Sequence, residues 1–224
     1  MSGPSETGPG TISRFAILGD IHAEDRRLDA ALAFAGTQSL DALLAVGDIV
    51  DGRGDAARCC TLLQSHRVLC VRGNHDRWWS KGKPMGFADG TPREALGPDL
   101  VAWLAALPPS RALETPLGAL LLCHGLGEND MVGVEPEDEG YALDANEDLQ
   151  TLVDRADYRL VINGHTHSRM VRRFGRRLWI INAGTLKGEK EPGFGIVDLT
   201  ARAVRWYGFG DGDSVQPVAT SAIE

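Results

Sequence analysis

Residues 15–22 read Phe-Ala-Ile-Leu-Gly-Asp-Ile-His, a run of four apolar residues followed by Gly19, Asp20 and His22. A short apolar run of this kind predicts a strand that is buried on both faces, as in a parallel sheet. Glycine allows the backbone to turn sharply where the strand ends. The stretch therefore predicts a buried strand whose carboxyl end presents an aspartate and a histidine.

The same order of residues recurs along the chain. Other short apolar runs precede Gly47-Asp48, Gly73-Asn74-His75-Asp76, His124-Gly125 and Gly164-His165-Thr166-His167. Ligand sites in open α/β sheets form beyond the carboxyl ends of the strands, so these separate segments can converge on one rim. Five of the six histidines belong to them. The pattern predicts one shared site.

The intervals between the runs carry apolar residues at helical spacing, with Asp55 as an N-cap and Pro98 in a first turn. A further helix is predicted to begin near Asn146. After His167 the pattern changes to four strands, at 170–174, 178–182, 195–199 and 203–207, joined by tight turns. Strand–helix alternation that ends in antiparallel strands predicts an α/β (α+β) fold with a mixed sheet layered with helices.

Length and composition set the limits of the prediction. The chain has 224 residues, of which 43% are hydrophobic, so it can bury a full core as one domain. We expect a disordered lead-in over 1–11, the domain over 12–210, and a disordered tail over 211–224. The net charge of −8 argues against a general nucleic-acid-coating role.

Other features of the composition bear on location. No run of eighteen apolar residues is present, and the first residues lack the basic start and apolar stretch of a signal peptide. The four cysteines form no C-x-x-C pair, which favours free, buried thiols in a reducing compartment. We therefore expect a cytoplasmic protein that does not contact a membrane.

The side chains at the strand ends are metal ligands by type. Imidazole and carboxylate suit Mn²⁺, Fe²⁺ or Zn²⁺, and asparagine adds a neutral oxygen. Two such ions, about 3.5–4 Å apart, can clamp a phosphoryl group and activate a water. A shared aspartate would reduce the repulsion between two such ions. Each segment alone is a weak signal, but all five in this order indicate a dinuclear metal hydrolase.

Together these segments resemble the calcineurin-like metallophosphoesterases over about residues 14–208, and most closely the compact bacterial and archaeal branch. The resemblance implies a four-layer α/β/β/α sandwich of two mixed sheets flanked by helices. It also implies two divalent metal ions, with Mn²⁺ favoured and Ni²⁺, Co²⁺, Fe²⁺ or Zn²⁺ compatible with the ligands. One departure is Asn182-Ala183-Gly184-Thr185, where related proteins often have N-P-G-S; we expect it to affect a loop rather than the metals.

The resemblance assigns a role to each residue at the strand ends. One metal is expected on Asp20, His22 and His167, the other on Asn74, His124 and His165, with Asp48 bridging both. The general acid that protonates the leaving oxygen would be His75, with Asp76 orienting its ring and adjusting its pKa.

We therefore expect a phosphoesterase that hydrolyses a phosphodiester or phosphomonoester with a metal-bridging hydroxide. Nucleotide pyrophosphatase, nuclease and protein phosphatase remain open on the same site. So does a non-catalytic binding scaffold, because one retromer subunit has this fold with a degraded metal site. A small or exposed phosphoester is the expected substrate, with nucleic acid possible but not favoured. The oligomeric state is not predicted.

Some residues have two interpretations. Trp78 and Trp79 can stack a base or pack onto the protein, and Arg72 or Arg77 can reach a phosphate or form a surface ion pair.

The arginines of the 169–177 region favour a solvated hairpin over a nucleic-acid contact. The acidic run 135–139 is a solvated loop, or, if it overhangs the site, repels long polyanions. His66 is expected to have no role at a helix end. The segments 77–91 and 125–144 are candidate substrate-recognition loops.

Overall fold

The computed structural model describes residues 10–83, 88–188 and 190–224. In chain order, its strands are β1 Arg14–Leu18, β2 Ala42–Ala45, β3 Leu69–Cys70, β4 Ser110–Thr115, β5 Gly118–Cys123, β6 Leu160–Asn163, β7 Met170–Phe174, β8 Leu178–Asn182, β9 Gly193–Asp198, β10 Ala203–Phe209 and β11 Val215–Ala222. The α-helices are α1 Asp25–Gly36, α2 Ala56–Ser65, α3 Asn74–Ser80, α4 Pro98–Ala106, α5 Tyr141–Asp144 and α6 Glu147–Arg155. Short 3₁₀ turns lie at Arg93–Ala95 and Asp211–Asp213.

The strands form two mixed sheets. The first has the order β11-β10-β9-β1-β2-β3, in which β1, β2 and β3 are parallel and β9 runs antiparallel to β1. The second has the order β4-β5-β6-β8-β7, in which β5, β6 and β8 are parallel. Each sheet therefore has a central parallel part, and the metal-type side chains follow strands of those parts.

Three apolar clusters define the layers. One is sandwiched between the sheets, with Phe15, Ile17 and Leu44 from the first and Leu122 and Ile162 from the second. A second cluster packs α1, α2 and α4 on the outer face of the first sheet, and a third packs α6 on the second sheet. The predicted four-layer α/β/β/α sandwich of two mixed sheets is confirmed.

Most predicted elements are present close to their predicted bounds. Asp55 caps α2 by accepting from the amide of Arg58 at 2.9 Å, and Asn146 caps α6 through the amide of Leu149 at 3.0 Å. The strand β4 was not predicted, because its sequence has no long apolar run and only Thr115 is buried. It lies at the edge of the second sheet, where one side needs no strand partner.

The predicted disordered tail differs from the structure. Of the lead-in over 1–11, residues 1–9 lie outside the described residues. At the other end, β11 continues the first sheet by pairing with β10, and Ile223 is fully buried. The indole of Trp206 also donates to the hydroxyl of Ser221 at 3.0 Å. Composition missed this strand because it is an edge strand that faces solvent along most of its length.

Two further expectations concern location. No helix among the described residues is long and apolar enough to span a membrane. All four cysteines are buried and free, as predicted. Burial raises the pKa of Cys60 and of Cys123 to about 12, so these thiols stay protonated and pack as small apolar groups.

The structured end of the chain can be tested by truncating one side chain. Ile223→Ala should lower the free energy of unfolding by about 2–5 kcal/mol, because it removes a fully buried branched side chain. Val218→Ala, on the exposed face of β11, should change it by less than about 0.5 kcal/mol. Urea unfolding measures both. Equal, negligible effects would show that the segment does not pack on the domain.

Candidate metal centre

The polar residues at the strand ends lie on one rim of the sandwich. Asp20 and His22 follow β1, Asp48 follows β2, and Asn74 opens α3 just after β3. From the second sheet, His124 follows β5, whereas His165 and His167 follow β6. Because both sheets end their parallel strands on the same side, the structure brings all seven predicted ligands together.

Four of these side chains form a close cluster. One ligand atom from each of Asp20, His22, Asp48 and His167 lies within 4.8 Å of the others. Within it, Nε2 of His22 is 3.1 Å from Nε2 of His167. Nε2 of His167 is also 3.8 Å from Oδ1 of Asp20. Two nitrogens and two carboxylates at this spacing are a donor set for a divalent transition metal.

The remaining three ligands form an adjoining group. Oδ1 of Asn74 is 2.9 Å from Nε2 of His124 and 3.1 Å from Nδ1 of His165. Oδ2 of Asp48 lies between the two groups, 3.4 Å from Nε2 of His124 and 3.7 Å from Nε2 of His22. This is the place that the predicted bridging role requires.

Hydrogen bonds at the back of two rings orient their metal-facing atoms. Nδ1 of His22 donates to the carbonyl of Asp51 at 2.8 Å, and Nδ1 of His124 donates to the carbonyl of Val46 at 2.9 Å. In a neutral ring, Nε2 is then a lone pair. Burial lowers the pKa of His22, so its Nε2 lone pair faces Oδ2 of Asp48 at 3.7 Å, acceptor against acceptor, and a cation between them would satisfy both. The residues present therefore fit a metal centre.

The backbone is distorted where these ligands sit. Positive φ angles occur at His22 (46°), Asp48 (47°), His165 (69°) and His167 (62°). Non-glycine residues adopt this region rarely, at a cost of about 1–3 kcal/mol each. Such conformations persist only where the surrounding structure enforces them, so the fold maintains strain in order to aim these four side chains.

Glycines make room for the two carboxylates. A Cβ on Gly73 would lie 2.0 Å from Oδ1 of Asp48, and one on Gly164 would lie 2.5 Å from Oδ2 of Asp20. The amide of His75 then donates to Oδ1 of Asp48 at 2.9 Å. This contact holds one oxygen of Asp48 and leaves the other facing the histidines.

The 182–185 loop supports Asp20. The amide of Asp20 donates to the carbonyl of Gly184 at 3.1 Å, and the hydroxyl of Thr185 donates to the carbonyl of Asp20 at 2.8 Å. Asn182 holds the neighbouring turn by donating to the carbonyl of Gly164 at 2.7 Å. The departure noted in this segment thus lies in a loop, as expected, but the loop fixes the backbone of a ligand.

Burial and mutual charge set the protonation of the cluster. Burial raises the pKa of Asp20, and the charge of Asp48 acts in the same direction. Burial alone would also raise the pKa of Asp48, but the charge and hydrogen bond of His124 and the charges of His22 and His75 together outweigh it and lower that pKa. Burial opposes protonation of His124, yet Asp48 raises its pKa to about 10. Burial, with the charge of His22, lowers the pKa of His167 to about 3, which keeps that ring in its metal-binding form.

The predicted acid His75 lies beside this cluster, with its ring centroid 4.9 Å from that of His22. Its Nδ1 is 2.8 Å from Oδ2 of Asp51. Burial opposes the charged form of the ring, but the hydrogen bond to Asp51 and the charges of the nearby carboxylates together outweigh it and raise the pKa of His75. The ring is therefore oriented by a carboxylate, in the way that a general acid requires.

The carboxylate that orients His75 is not the predicted one. Asp76 is buried and accepts from the amides of Ile49 at 2.9 Å, Val50 at 3.3 Å and Gly73 at 2.9 Å. Successive residues on a helix point to different sides, so Asp76 turns away from the face that carries His75. The predicted orientation of the ring by Asp76 is wrong, because its side chain instead holds the 48–51 turn against the start of α3. The charge of Asp76 still contributes to the raised pKa of His75, as predicted.

Asp51 is the functional residue that the sequence reasoning missed. It lies three residues after Asp48 in the same strand-end loop, at a φ of 64°. Its Oδ1 also accepts from the amide of Thr91 at 2.8 Å, which fixes the carboxylate while Oδ2 faces His75. The available signal was a second aspartate within one loop, Asp48-x-x-Asp51, beside a glycine at position 52.

With the site described, known proteins can be compared. The family model of the calcineurin-like phosphoesterase superfamily domain matches residues 14–202. The chain belongs to this superfamily. Phosphoester hydrolysis and divalent metal binding are properties of the family, and the aspartate–histidine cluster is compatible with both.

Solved structures show the same fold at low sequence identity. A metallophosphoesterase from Sphaerobacter thermophilus has a TM-score of 0.63 and 21% identity, over 87% of this chain and 86% of that one. Yfce, a phosphoesterase from E. coli, has a TM-score of 0.55 and 16% identity, over 94% and 100%. Vacuolar Protein Sorting 29 from Cryptosporidium parvum has a TM-score of 0.55 and 16% identity, over 95% and 99%. No curated protein matches the chain in sequence.

The aromatic residues beside the centre of this calcineurin-like phosphoesterase have different environments. Trp79 is buried, and its indole donates to the carbonyl of Thr91 at 2.9 Å. It packs onto the protein, so a stacking role for it is wrong. Trp78 is only half-buried and its ring centroid is 5.2 Å from that of His75. Trp78 is therefore the tryptophan at the edge of the site.

Two arginines tie the 125–144 segment to the body of the protein. Arg77 forms a bidentate pair with Asp130, at 2.5 Å and 2.7 Å, and so does not reach toward a substrate phosphate. Arg172 donates to three backbone carbonyls of this segment, those of Glu135, Pro136 and Asp138, each at 3.0 Å. The segment is held in place even though it has little regular structure. His66, expected to have no role, is at the end of α2, exposed and away from the cluster.

These contacts place part of the acidic run beside the metal centre. Glu135 and Glu137 line a cavity of about 610 Å³ together with His167. Ser168, Arg169, Lys190 and Glu191 complete its wall. The predicted overhang of the acidic run is thus present at one side of the site.

Proposed function

We propose that this protein is a two-metal phosphoesterase that hydrolyses small phosphodiesters or phosphomonoesters. The observation that carries the proposal is the position of Asp48, whose Oδ2 lies between Nε2 of His22 and Nε2 of His124. Every residue of both expected ligand groups is present around it. Mn²⁺ is the metal that we propose, on the basis of the family resemblance.

When bound, the two ions would supply Lewis acidity to a phosphoryl oxygen and to the attacking water. Asp20, His22 and His167 would hold one ion and Asn74, His124 and His165 the other, with Asp48 shared. The back-side hydrogen bonds of His22 and His124 keep their rings fixed, so little reorganisation is needed on binding.

The protein's own proton chemistry rests on His75. Cleavage of a phosphoester bond leaves an alkoxide, which is a poor leaving group unless it is protonated as it departs. Because Nδ1 of His75 faces Asp51, the proton would be delivered from Nε2. Asp51 raises the pKa of the ring and so keeps the acid form populated.

The cavity beside His167 supports a preference for small substrates. Glu135, Glu137 and Glu191 contribute three carboxylates, whereas Arg169 and Lys190 contribute two cations. Arg169 is paired with Glu191 at 2.7 Å, and Lys190 donates to the carbonyl of Thr166 at 2.8 Å. With Arg169 paired to Glu191, the charges of Glu135 and Glu137 exceed that of Lys190, so the wall keeps a net negative charge that is unfavourable for a long polyanion.

Other functions on this fold are separated by the same features. A nuclease would need basic residues along the path of the strand, and the cavity wall is acidic. A protein phosphatase or a nucleotide pyrophosphatase would use the same metals, and substrate screening distinguishes them. A binding scaffold has no need of the strained, complete ligand set found here. The four buried, free cysteines support the cytoplasm as the compartment that we propose.

The proposal is tested with bis-p-nitrophenyl phosphate. The full chain with Mn²⁺ should hydrolyse it, and excess chelator should reduce the rate to background. Asp48→Asn should lose both measurable Mn²⁺ binding by calorimetry and at least about 100-fold in rate, because it removes the shared charge. Glu114→Gln, on the exposed face of β4, is the control. A chain that binds no metal and does not hydrolyse phosphoesters would favour the scaffold.

The proton donor is tested by leaving-group dependence. His75→Ala should cost about 10²–10⁴-fold on an alkyl phosphodiester and far less on a p-nitrophenyl ester, whose leaving group needs no proton. In Asp51→Asn the pKa of His75 falls, so the decline of kcat/KM with rising pH should begin at a lower pH than in wild type. Glu114→Gln, on the exposed face of β4, should leave the pH profile unchanged. Wild-type rates of His75→Ala on the alkyl ester would contradict the assignment.

The acidic wall is tested by a double substitution. Glu135→Gln with Glu137→Gln should raise the ratio of oligonucleotide to bis-p-nitrophenyl phosphate hydrolysis by at least about threefold at low salt, because repulsion of the polyanion is reduced. The control pair Glu114→Gln with Glu128→Gln removes equal charge from outside the cavity. An unchanged ratio in both proteins would show that the carboxylates of Glu135 and Glu137 do not contribute to substrate specificity.

A further inference from the structure

Five arginines line one groove at the end of the sandwich opposite the metal centre. The groove has a volume of about 300 Å³, and Trp179 forms part of its wall together with Arg159, Arg173, Arg176, Arg177 and Arg202. We call it the arginine groove. Arg159 directly precedes β6 and Arg177 directly precedes β8, so both lie at the amino ends of parallel strands. The metal-type ligands follow the carboxyl ends of strands in the same sheet.

None of these five arginines forms an ion pair with a carboxylate in the described part of the chain, whereas six of the fourteen other arginines do. The six are Arg14, Arg27, Arg58, Arg77, Arg155 and Arg169. One carboxylate residue, Glu224, lines the groove. Five like charges thus converge in a protein whose net charge is −8.

Two of the five side chains are held in position by their surroundings. The guanidinium of Arg173 lies over the ring of Trp179, 5.8 Å from its centroid. The aliphatic stem of Arg159 lies against Gly118, where a Cβ would come within 2.6 Å of Cγ of Arg159. Gly118 also has a φ of 120°, so both the backbone conformation and the contact with Arg159 favour glycine at this position. The groove is therefore partly preorganised before any ligand binds.

Guanidinium groups bind phosphate oxygens through paired hydrogen bonds, and several together suit an anion of high charge density. The volume of the groove is at the lower end of the range for small-molecule sites, which favours a compact ligand over an extended chain. We propose that the arginine groove binds a small anion that carries two or more phosphate groups. The site is separate from the metal centre, so this proposal does not depend on the phosphoesterase activity.

The test is calorimetric titration of the full chain with inorganic triphosphate. Single inorganic phosphate and a 12-nucleotide single-stranded RNA are titrated alongside it. Arg176→Gln with Arg177→Gln alters two exposed side chains of the β7–β8 turn and should weaken triphosphate binding at least tenfold. The matched control, Arg26→Gln with Arg205→Gln, removes equal charge from exposed positions outside the groove and should stay within twofold of wild type. Raising the salt concentration should weaken binding to the wild type.

Each alternative outcome decides the matter. Undetectable triphosphate binding by wild type, or equal binding by the groove variant and wild type, would overturn the proposal. Phosphate that binds as tightly as triphosphate would exclude a multi-phosphate ligand. RNA that binds more tightly than triphosphate would replace it with a nucleic-acid site. If the double variant does not fold, as judged by thermal unfolding, Arg202→Gln provides the same comparison from a different turn.

Discussion

The structure depends on the burial of two carboxylates at the ends of adjacent parallel strands. Asp20 and Asp48 have 0% and 2% of their surface exposed, so water solvates neither. Two buried like charges are stable only where positive charge and hydrogen bonds surround them. The amides of His75 and His165 donate to these carboxylates, and histidine rings occupy the space between the two sheets' rims. His124, whose pKa Asp48 raises to about 10, supplies that positive charge, whereas burial lowers the pKa of His22, His165 and His167 and leaves them as neutral ligands.

The same constraint accounts for the strained backbone around the site. A strand that simply continued or turned in a common way would direct alternate side chains to opposite faces of the sheet. Positive φ angles at His22, Asp48, His165 and His167 redirect these side chains toward one point. The carbonyl of Asp48 accepts from the amides of Ile21 at 3.0 Å and His22 at 2.7 Å, which locks two of the strained loops to each other. The strain is thus distributed over loops that brace one another.

The sequence predicted the metal ligands better than it predicted the residues that hold the site in position. Asp20, His22 and Asp48 could be identified because each follows an apolar run, and the order of such runs places strand ends on one rim. Asp51 and Asp76 could not be told apart in this way, because both are carboxylates near His75, one in the loop after β2 and the other in the first turn of α3. Which of them orients the ring depends on the direction in which α3 leaves Gly73, and this is a property of packing. The edge strands β4 and β11 were missed for a related reason, since exposed strands carry little hydrophobic periodicity.

The parallel strands also separate charge along the molecule. The carboxyl ends of the parallel strands in both sheets present carboxylates and other acceptor atoms. The amino ends of β6 and β8, in the second sheet, present Arg159 and Arg177. A strand of four or five residues spans about 13–17 Å, and this separation weakens the interaction between charges at its two ends. The carboxylate-rich rim can therefore attract cations, and the arginine groove can attract anions, with little effect of one on the other. Cation binding at one rim and anion binding at the opposite groove are compatible in a single small domain because the strands themselves keep the two charge clusters apart.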